Sequence, residues 1–403
     1  MINSVSHDQH TRRSSVTFNV GIVGFGARAG LWKHIHHPEQ GTAVTAVCDT
    51  AERGRNDAAT VLPEALVTAE LDEFLGAGLD AVLVTTSDDQ HTGPVLAALS
   101  KGIPVFCEKP LAITIDDCDA MLRASYENRT RLYVGHNMRH MPVVRQMREI
   151  IASGRIGAVR AVWCRHFVGT GGDFYFKDWH ADRSKSTSLL LQKGAHDIDV
   201  IHWLAGGYTD RVQAMGDLMI YGDITDRKDR SNERMPDWLS EDNWPPASLT
   251  GLNPVVDVED ISMMTMHLDN GVLASYQQCH FAPDYWRNYT VIGDQGRIEN
   301  FGNGPGDTIG IWDRRHDGHA EPDEVVEIGG GDGGHGGADP KLIKEFLAFA
   351  RDGGPTETSP VAARMSVAAG CTATDSLRGN GGTLAVPPLP PEVLAWFDGG
   401  QVD

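Results

Sequence analysis

The chain has 403 residues, 41% of them hydrophobic and 22% charged. That is enough apolar content for a sizeable core, and at roughly 150 residues per domain the length favours two domains. Its 35 Lys and Arg against 55 Asp and Glu give a net charge of −20, which argues against nucleic-acid or membrane-surface binding as the main task but leaves room for a local basic pocket. No apolar run reaches the roughly 18 residues of a membrane span, and Arg12-Arg13 is followed by no export-signal pattern. The scattered Cys48, Cys107, Cys118, Cys164, Cys279 and Cys371 contain no C-x-x-C pair. A disulfide framework and a cysteine zinc site are therefore not expected, and the reducing cytoplasm is the expected compartment.

From Val16 to about His136, short apolar runs alternate with segments of helical spacing. The runs are Val20–Val23, Val44–Val47, Ala81–Val84, Val105–Cys107 and Leu132–Val134, with helices expected over Pro94–Lys101 and Ile115–Tyr126. This alternation predicts an α/β class, doubly wound parallel sheet covered on both faces. After a further helix, Pro142–Ser153, strands are expected at Ala158–Val168, Val212–Tyr221, Ile261–Leu268, Val272–His280 and Tyr289–Ile292. Asp269-Asn270-Gly271 is a hairpin turn, and Gly293–Gly296 is a second turn signal. A helix near Gly194–Leu204 and two late helices, Lys341–Arg351 and Val361–Leu377, complete an α+β half with a large, mainly antiparallel open sheet. The expected domains are 16–140 and 141–390. Asp223–Pro254 is a long charged loop rich in Pro and Trp, and Gly329–Gly337 is almost all glycine.

Gly24-Phe25-Gly26-Ala27-Arg28-Ala29 follows the first strand and matches G-x-G-x-x-G/A. The first glycine allows the tight turn, the second lets a pyrophosphate approach the backbone, and a helix opening here would offer free N–H groups to the phosphates. Asp49 ends the second strand 25 positions past Gly24. An acid there accepts hydrogen bonds from adenosine ribose hydroxyls and disfavours a 2′-phosphate, so a dinucleotide site is expected, with NAD preferred to NADP. Arg53 is the counter-signal, since a guanidinium can pair with that phosphate. Asp49 also suits a cap for the segment after it.

The fourth apolar run leads into Cys107-Glu108-Lys109-Pro110, which places a lysine at the carboxyl end of a sheet strand, where cofactors lie. Here the sequence resembles the Gfo/Idh/MocA family of oxidoreductases, named for glucose–fructose oxidoreductase and inositol dehydrogenase. Thr85-Thr86-Ser87 to His91, Gly135-His136-Asn137-Met138-Arg139 and Gly194-Ala195-His196-Asp197-Ile198-Asp199 resemble further motifs of that family. The resemblance implies that Lys109 and His196 flank the reacting carbinol. It also implies that Gly24, Phe25, Gly26, Ala27, Arg28, Asp49, Thr85, Thr86, His91, Glu108, Lys109 and Asn137 serve the cofactor. A base for the hydroxyl proton needs a pKa near the working pH, which burial confers on lysine and which histidine has already.

Family dehydrogenases often carry an acid four residues before this histidine, and here Gln192 stands there, followed by Lys193. Either Lys109 and His196 suffice, or Lys193, Tyr175, Asp178 or His180 supplies the missing function; Lys193 equally suits an exposed charge at a helix start. The segment Gly171–Arg183 combines aromatic rings with Asp, His and Arg, a set suited to a sugar face and rim. Tyr175, Asp178, Trp179, His180, Arg183, Gln192 and Lys193 are therefore substrate candidates, although the aromatic residues equally suit a core. Arg183 and Lys185 suit either an anionic substituent or solvent. His335 in its glycine-rich loop is a further candidate. His196 paired with Asp199 would be an ordinary helix residue.

No metal site is expected, and Lys33–His37 reads as a solvated helix end. The expected activity is hydride transfer between a sugar, sugar-derivative or cyclitol hydroxyl and nicotinamide. Some relatives in the family suggest an alternative, an NAD-dependent glycosidase that works by transient ring oxidation, elimination and re-reduction. The resemblance also implies a homodimer or homotetramer.

Overall fold

The computed structural model describes residues 17–240, 242–330 and 334–402. Six parallel strands form the first sheet: β1 (Phe18–Val23), β2 (Thr42–Cys48), β3 (Leu66–Thr68), β4 (Ala81–Val84), β5 (Val105–Glu108) and β6 (Leu132–Gly135), in the order β3-β2-β1-β4-β5-β6. The helices between them are α1 (Glu52–Val61), α2 (Leu71–Leu75), α3 (Thr92–Ser100) and α4 (Ile115–Asn128). β4, β5 and β6 are buried at every position, as strands covered on both faces must be. The strand order reverses between β1 and β4, which opens a crevice at their carboxyl ends.

After α5 (Pro142–Ala152) comes β7 (Val159–Phe167), followed by three short helices and one longer one: α6 (Gly171–Tyr175), α7 (Arg183–Ser186), α8 (Leu189–Gln192) and α9 (Gly194–Ala205). The second sheet adds β8 (Thr209–Asp217), β9 (Ile261–Leu268), β10 (Leu273–Cys279), β11 (Trp286–Gly293), β12 (Arg297–Phe301), β13 (Thr308–Trp312) and β14 (Glu324–Glu327). The chain closes with α10 (Gly334–Asp352), α11 (Pro360–Arg378), β15 (Leu384–Ala385) and α12 (Pro391–Asp398). The nine strands run β14-β13-β12-β11-β7-β10-β9-β8-β15, antiparallel except for β7 beside β10.

Gly271 adopts φ +83° at the β9–β10 hairpin, as the Asp-Asn-Gly turn predicts. Alternation along β7 buries Val162, Cys164 and His166 and leaves Trp163 50% exposed. Met263, Leu273 and Met215 are exposed on neighbouring strands.

Several sequence expectations are corrected. The residues after the glycine loop form a 3-10 turn, Ala29–His34, rather than an α-helix. β8 begins earlier and stops at Asp217, because the Asp260 carboxylate accepts from the N–H groups of Met219, Ile220 and Tyr221 and turns the chain away. β12, β13 and β14 were not anticipated; they are short, glycine-flanked runs whose strand character comes from pairing with one another.

α10 begins at Gly334, inside the expected glycine loop. Asp339 anchors its first turns by accepting from Arg28 and Asn137. Leu342, Ile343 and Phe346 of α10 then pack with Val20, Ile22, Phe106 and Tyr133 of the first sheet.

The two sheets are joined by a buried ion pair. Arg139, in the turn after β6, donates through Nε and Nη2 to both Asp199 oxygens of α9 at 2.7 Å each. Asp199→Asn, which leaves Arg139 buried and unpaired, is expected to cost about 3–5 kcal/mol, whereas the double change Arg139→Met with Asp199→Leu recovers most of that loss. Urea unfolding midpoints at constant slope check both.

Candidate active site

The dinucleotide crevice is built by the ends of β1, β2 and β4. Gly24 sits at φ +85°, and a Cβ there would stand 2.7 Å from the Thr86 backbone nitrogen, so only glycine fits this turn. A Cβ on Gly26 would meet nothing within 4 Å, which leaves open space where the fingerprint calls for a close backbone approach to pyrophosphate. Asp49 accepts from the Phe25 N–H at 2.6 Å and from the Ala51 N–H at 2.7 Å. It thus ties the glycine loop to the start of α1 while remaining partly exposed. A carboxylate has about four lone-pair sites, so two remain for ribose hydroxyls. These features fit a dinucleotide.

The loop from Thr85 to His91 is locked to its neighbours. The Thr85 hydroxyl donates to the Gly24 carbonyl at 2.6 Å, and His91 Nδ1 lies 2.9 Å from the Pro110 carbonyl. The Lys109–Pro110 peptide is cis. Glu108 accepts from Arg28 Nε and from the Lys109 N–H, both at 2.7 Å. Arg28 is therefore engaged by Glu108 and Asp339, and it links the glycine loop, the Lys109 turn and α10. These contacts fix where the Lys109 chain leaves the backbone. Burial pushes Lys109 below its usual value, with Asp88 and Glu108 opposing and Arg28 and Arg287 adding to the fall.

The opposite wall comes from α8, α9 and the second sheet. His196, 7% exposed, has no hydrogen-bond partner at either ring nitrogen. Burial, Lys109, Lys193 and Arg287 hold it well below its usual pKa, so at neutral pH it is an uncharged ring aimed into the cleft. Around the next residue lies a buried ionic network. Asp197 forms an ion pair with Arg287, whose Nε lies 3.1 Å away, accepts from the Tyr289 hydroxyl, and lies 2.9 Å from His166 Nδ1. Burial opposes its charge, but Arg287, His166 and Tyr289 keep its carboxyl well below the usual range. Asp197 thereby anchors the first turn of α9 and aims its neighbour His196.

The alternative in which His196 is an ordinary helix residue paired with Asp199 is not met, because Asp199 belongs to Arg139 and lies 3.4 Å from His136. The exposed-charge reading of Lys193 is also overturned. Its ammonium lies over the Tyr175 ring, 5.8 Å from the centroid, and is partly buried at the start of α9. Burial, Arg287 and Lys109 lower its pKa strongly. Gln192 is buried with an unpartnered Oε1.

Tyr175 packs against His180 and His280, and Trp179 stacks on His180 at 3.9 Å between centroids. The rings of Tyr175 and Phe176 thus serve a core cluster of the second half. Asp178 is partly exposed and caps the turn at Trp179. Arg183 turns away and pairs with Asp257. Asn137 donates to Asp339 at 3.1 Å.

A cavity of about 310 Å³ lies beside α6, lined by Asp173, Tyr221, Asn243 and Trp244 among others. The long loop reaches back to α1, where Arg53 donates to the Glu233 carbonyl and Arg234 pairs with Asp57. His335 falls at the start of α10, but its side chain lies outside the described residues. No cluster of His, Cys, Asp or Glu suited to a metal is found among the described residues. No described helix is long and apolar enough to cross a membrane. All six cysteines are free thiols.

Sequence reasoning missed Asp88, Arg287 and His280. Asp88 was within reach, since it lies inside the Thr85–His91 segment. Arg287 and His280 belong to β11 and the end of β10, and only the sheet register turns them inward.

A reversed strand order with a glycine turn at the switch point, faced by a lysine and an unpartnered histidine, defines a dinucleotide-binding oxidoreductase architecture. Residues 18–136 match the model for the oxidoreductase family with an NAD-binding Rossmann fold, and residues 144–299 match the Gfo/Idh/MocA C-terminal domain. The chain belongs to the Gfo/Idh/MocA oxidoreductase family.

An inositol 2-dehydrogenase from Burkholderia multivorans is 34% identical over 47% of this chain and 55% of its own length. A 2,7-anhydro-N-acetylneuraminate hydratase from Mediterraneibacter gnavus is 32% identical over 50% of this chain and 52% of its own. The chain thus spans about half the length of these two relatives. Among solved structures, levoglucosan dehydrogenase in complex with NADH and levoglucosan shares the fold at a TM-score of 0.74 and 18% identity, covering 92% of this chain and 100% of that one.

Burial holds His166, His180 and His280 down at about 3, and His202 at about 4. Unfolded, each would titrate near 6.5. Their depressed folded values mean that this contribution to stability is complete above about pH 6.5 and is lost as pH falls toward 3–4. The melting temperature is expected to start falling near pH 6.5, well above the carboxylate range. Scanning calorimetry from pH 8 to 4 checks this, and a melting temperature flat down to pH 5 would contradict it.

Proposed function

We propose that the protein is an NAD-linked oxidoreductase acting on a hydroxyl of a sugar, sugar derivative or cyclitol. The observation that carries the reading is the meeting of Lys109, from the carboxyl end of the first sheet, with the unpartnered ring of His196 from α9. Residues 16–140 hold the dinucleotide and 141–390 supply the substrate wall. When bound, nicotinamide supplies a hydride acceptor at its C4. The chain's own task is to orient the carbinol and manage its proton. Lys109, its ammonium form disfavoured by burial, takes the hydroxyl proton, and neutral His196 hydrogen-bonds the same oxygen. Gln192 and Lys193 face neighbouring hydroxyls, and the Trp179–His180 stack offers a flat wall to the ring. The negative charge of Asp49 favours NAD over NADP.

The test is incubation with NAD or NADP and a panel of myo-inositol, glucose, levoglucosan and nitrophenyl glycosides, read for reduced cofactor and for released nitrophenol. Reduced cofactor is expected with a free sugar or cyclitol, more with NAD than with NADP. Lys109→Met and His196→Ala should each lower kcat/KM by about 10²–10⁴-fold. Reduction with none of the panel would sink the reading.

A second reading is a redox-neutral cycle such as NAD-dependent glycoside cleavage. It is favoured by the hydratase name of one relative and by Lys193, a lysine with a lowered pKa beside Gln192, suited to removing a proton next to a transient ketone. Its signature is nitrophenol released without net reduced cofactor.

We further propose that the exposed sheet face around Trp163, Met263 and Leu273 pairs copies of the chain into a homodimer or homotetramer. Sedimentation equilibrium should show the oligomer, and Trp163→Lys should shift it toward monomer; a monomeric parent chain would exclude the assembly.

A further inference from the structure

We propose that Asp88 is the positioning carboxylate of this site: acting through Lys109, it receives the proton that leaves the substrate hydroxyl, a role that Gln192 cannot fill. This rests on reading the cleft as a carbinol-oxidising site. Asp88 opens the turn after β4, is 5% exposed, and its Oδ2 has no hydrogen-bond partner. The turn packs on α3 and α7, whose Lys185 is taken by Asp89, and further groups face Asp88 from other elements, the Gln192 amide as its hydrogen-bond neighbour. Lys109, Glu108 and Cys107 face it from β5 and the turn beyond, Gln192 from α8, Tyr175 from α6, and Asp89 from its own turn.

The neighbouring carboxylates are committed elsewhere. Glu108 is held by Arg28 and the Lys109 N–H. Asp89 accepts from Lys185 of α7 at 2.8 Å and from Ser87 at 2.8 Å. Across the cleft, Asp197 and Asp199 are bound to Arg287 and Arg139. Asp88 faces Lys109 with no such clamp.

A structural ion pair drives its carboxyl well below the usual range, as at Asp197 and Asp199. Asp88 goes the other way. Burial raises it to about 7 in spite of Lys109, while Lys109 itself is pushed down. The two groups therefore approach each other in proton affinity, which is the condition for passing a proton between them.

The step balances without a further reactant. The hydroxyl O–H bond breaks and its proton joins the Lys109 amine. The carbon loses a hydride to the nicotinamide as C–O becomes C=O, and the Lys109 ammonium then gives a proton to the Asp88 carboxylate. Gln192, an amide, can hydrogen-bond in this chain of groups but cannot accept that proton.

Two measurements test the assignment. In isotope-edited infrared difference spectra of aspartate-labelled holoenzyme, a protonated carboxyl band should titrate near pH 7, vanish in Asp88→Asn, and move to higher pH in Lys109→Met, where the neighbouring cation is gone. Absence of that band, or a midpoint indifferent to Lys109→Met, would overturn the proposal. With a panel sugar that reduces NAD, Asp88→Asn should lower kcat about a hundredfold and remove the acidic limb of its pH profile, with NADH affinity unchanged. Adding Gln192→Glu in that background should restore at least about tenfold of the loss by returning a carboxylate to the lysine from the other wall. A residue needed only for packing would give no such recovery, and its loss would lower the melting temperature instead. If no panel sugar is oxidised, the oxidoreductase reading falls, and the infrared titration still decides the role of Asp88.

Discussion

The cleft of this protein is made by two sheets that share no strand, so its chemistry depends on what fixes one sheet against the other. The buried Arg139–Asp199 pair does this at the one place where the first sheet's last turn meets the helix that carries His196. Both guanidinium bonds are 2.7 Å, and neither partner is open to solvent, so the contact has a single geometry rather than a range. A rotation of α9 by a few degrees would move His196 relative to Lys109 and leave a buried charge without its partner. The cost of that unpaired charge is what holds the cleft in register.

A second set of ionic contacts does the same for the cofactor side. Arg28 joins the glycine loop to Glu108 and to Asp339, so the turn expected to cradle phosphates, the turn that presents Lys109, and the returning helix α10 form one unit. Phosphate-facing glycines are loose by themselves. Here the groups around them remove that looseness, with the Gly24 N–H donating to the Cys48 carbonyl and the Phe25 N–H to Asp49. Asp49 works in the same way from the other flank, tied to Phe25 and Ala51 yet still partly exposed.

The buried polar residues of the second wall divide into two kinds. Asp197, His166, Arg287 and Tyr289 are held together around one carboxylate and serve to stiffen α9 and β11. His196, Gln192 and Asp88 keep unpartnered atoms in the same region. A buried polar atom without a partner costs free energy, which makes such atoms beside Lys109 candidates to meet a bound ligand.

Much of this was legible in the residues. The parallel sheet followed from continuous apolar runs, because strands buried on both faces leave no room for polar alternation. The glycine turn, Asp49 and the Glu-Lys-Pro turn were readable because each lies within a few residues of a strand end and acts through local backbone geometry. Lys109 and His196 were nominated by motif. That Lys193 is drawn into the site, that Asp199 belongs to Arg139, and that Arg287 and His280 are turned inward could not be read in this way. These facts depend on the register of β10 and β11 against β7 and on the angle at which α8 and α9 cross the carboxyl ends of the first sheet. Local sequence fixes which residues can turn, pair or ionise; which of them share a low-dielectric space, and so shift one another's charge, is decided only when distant segments pack together.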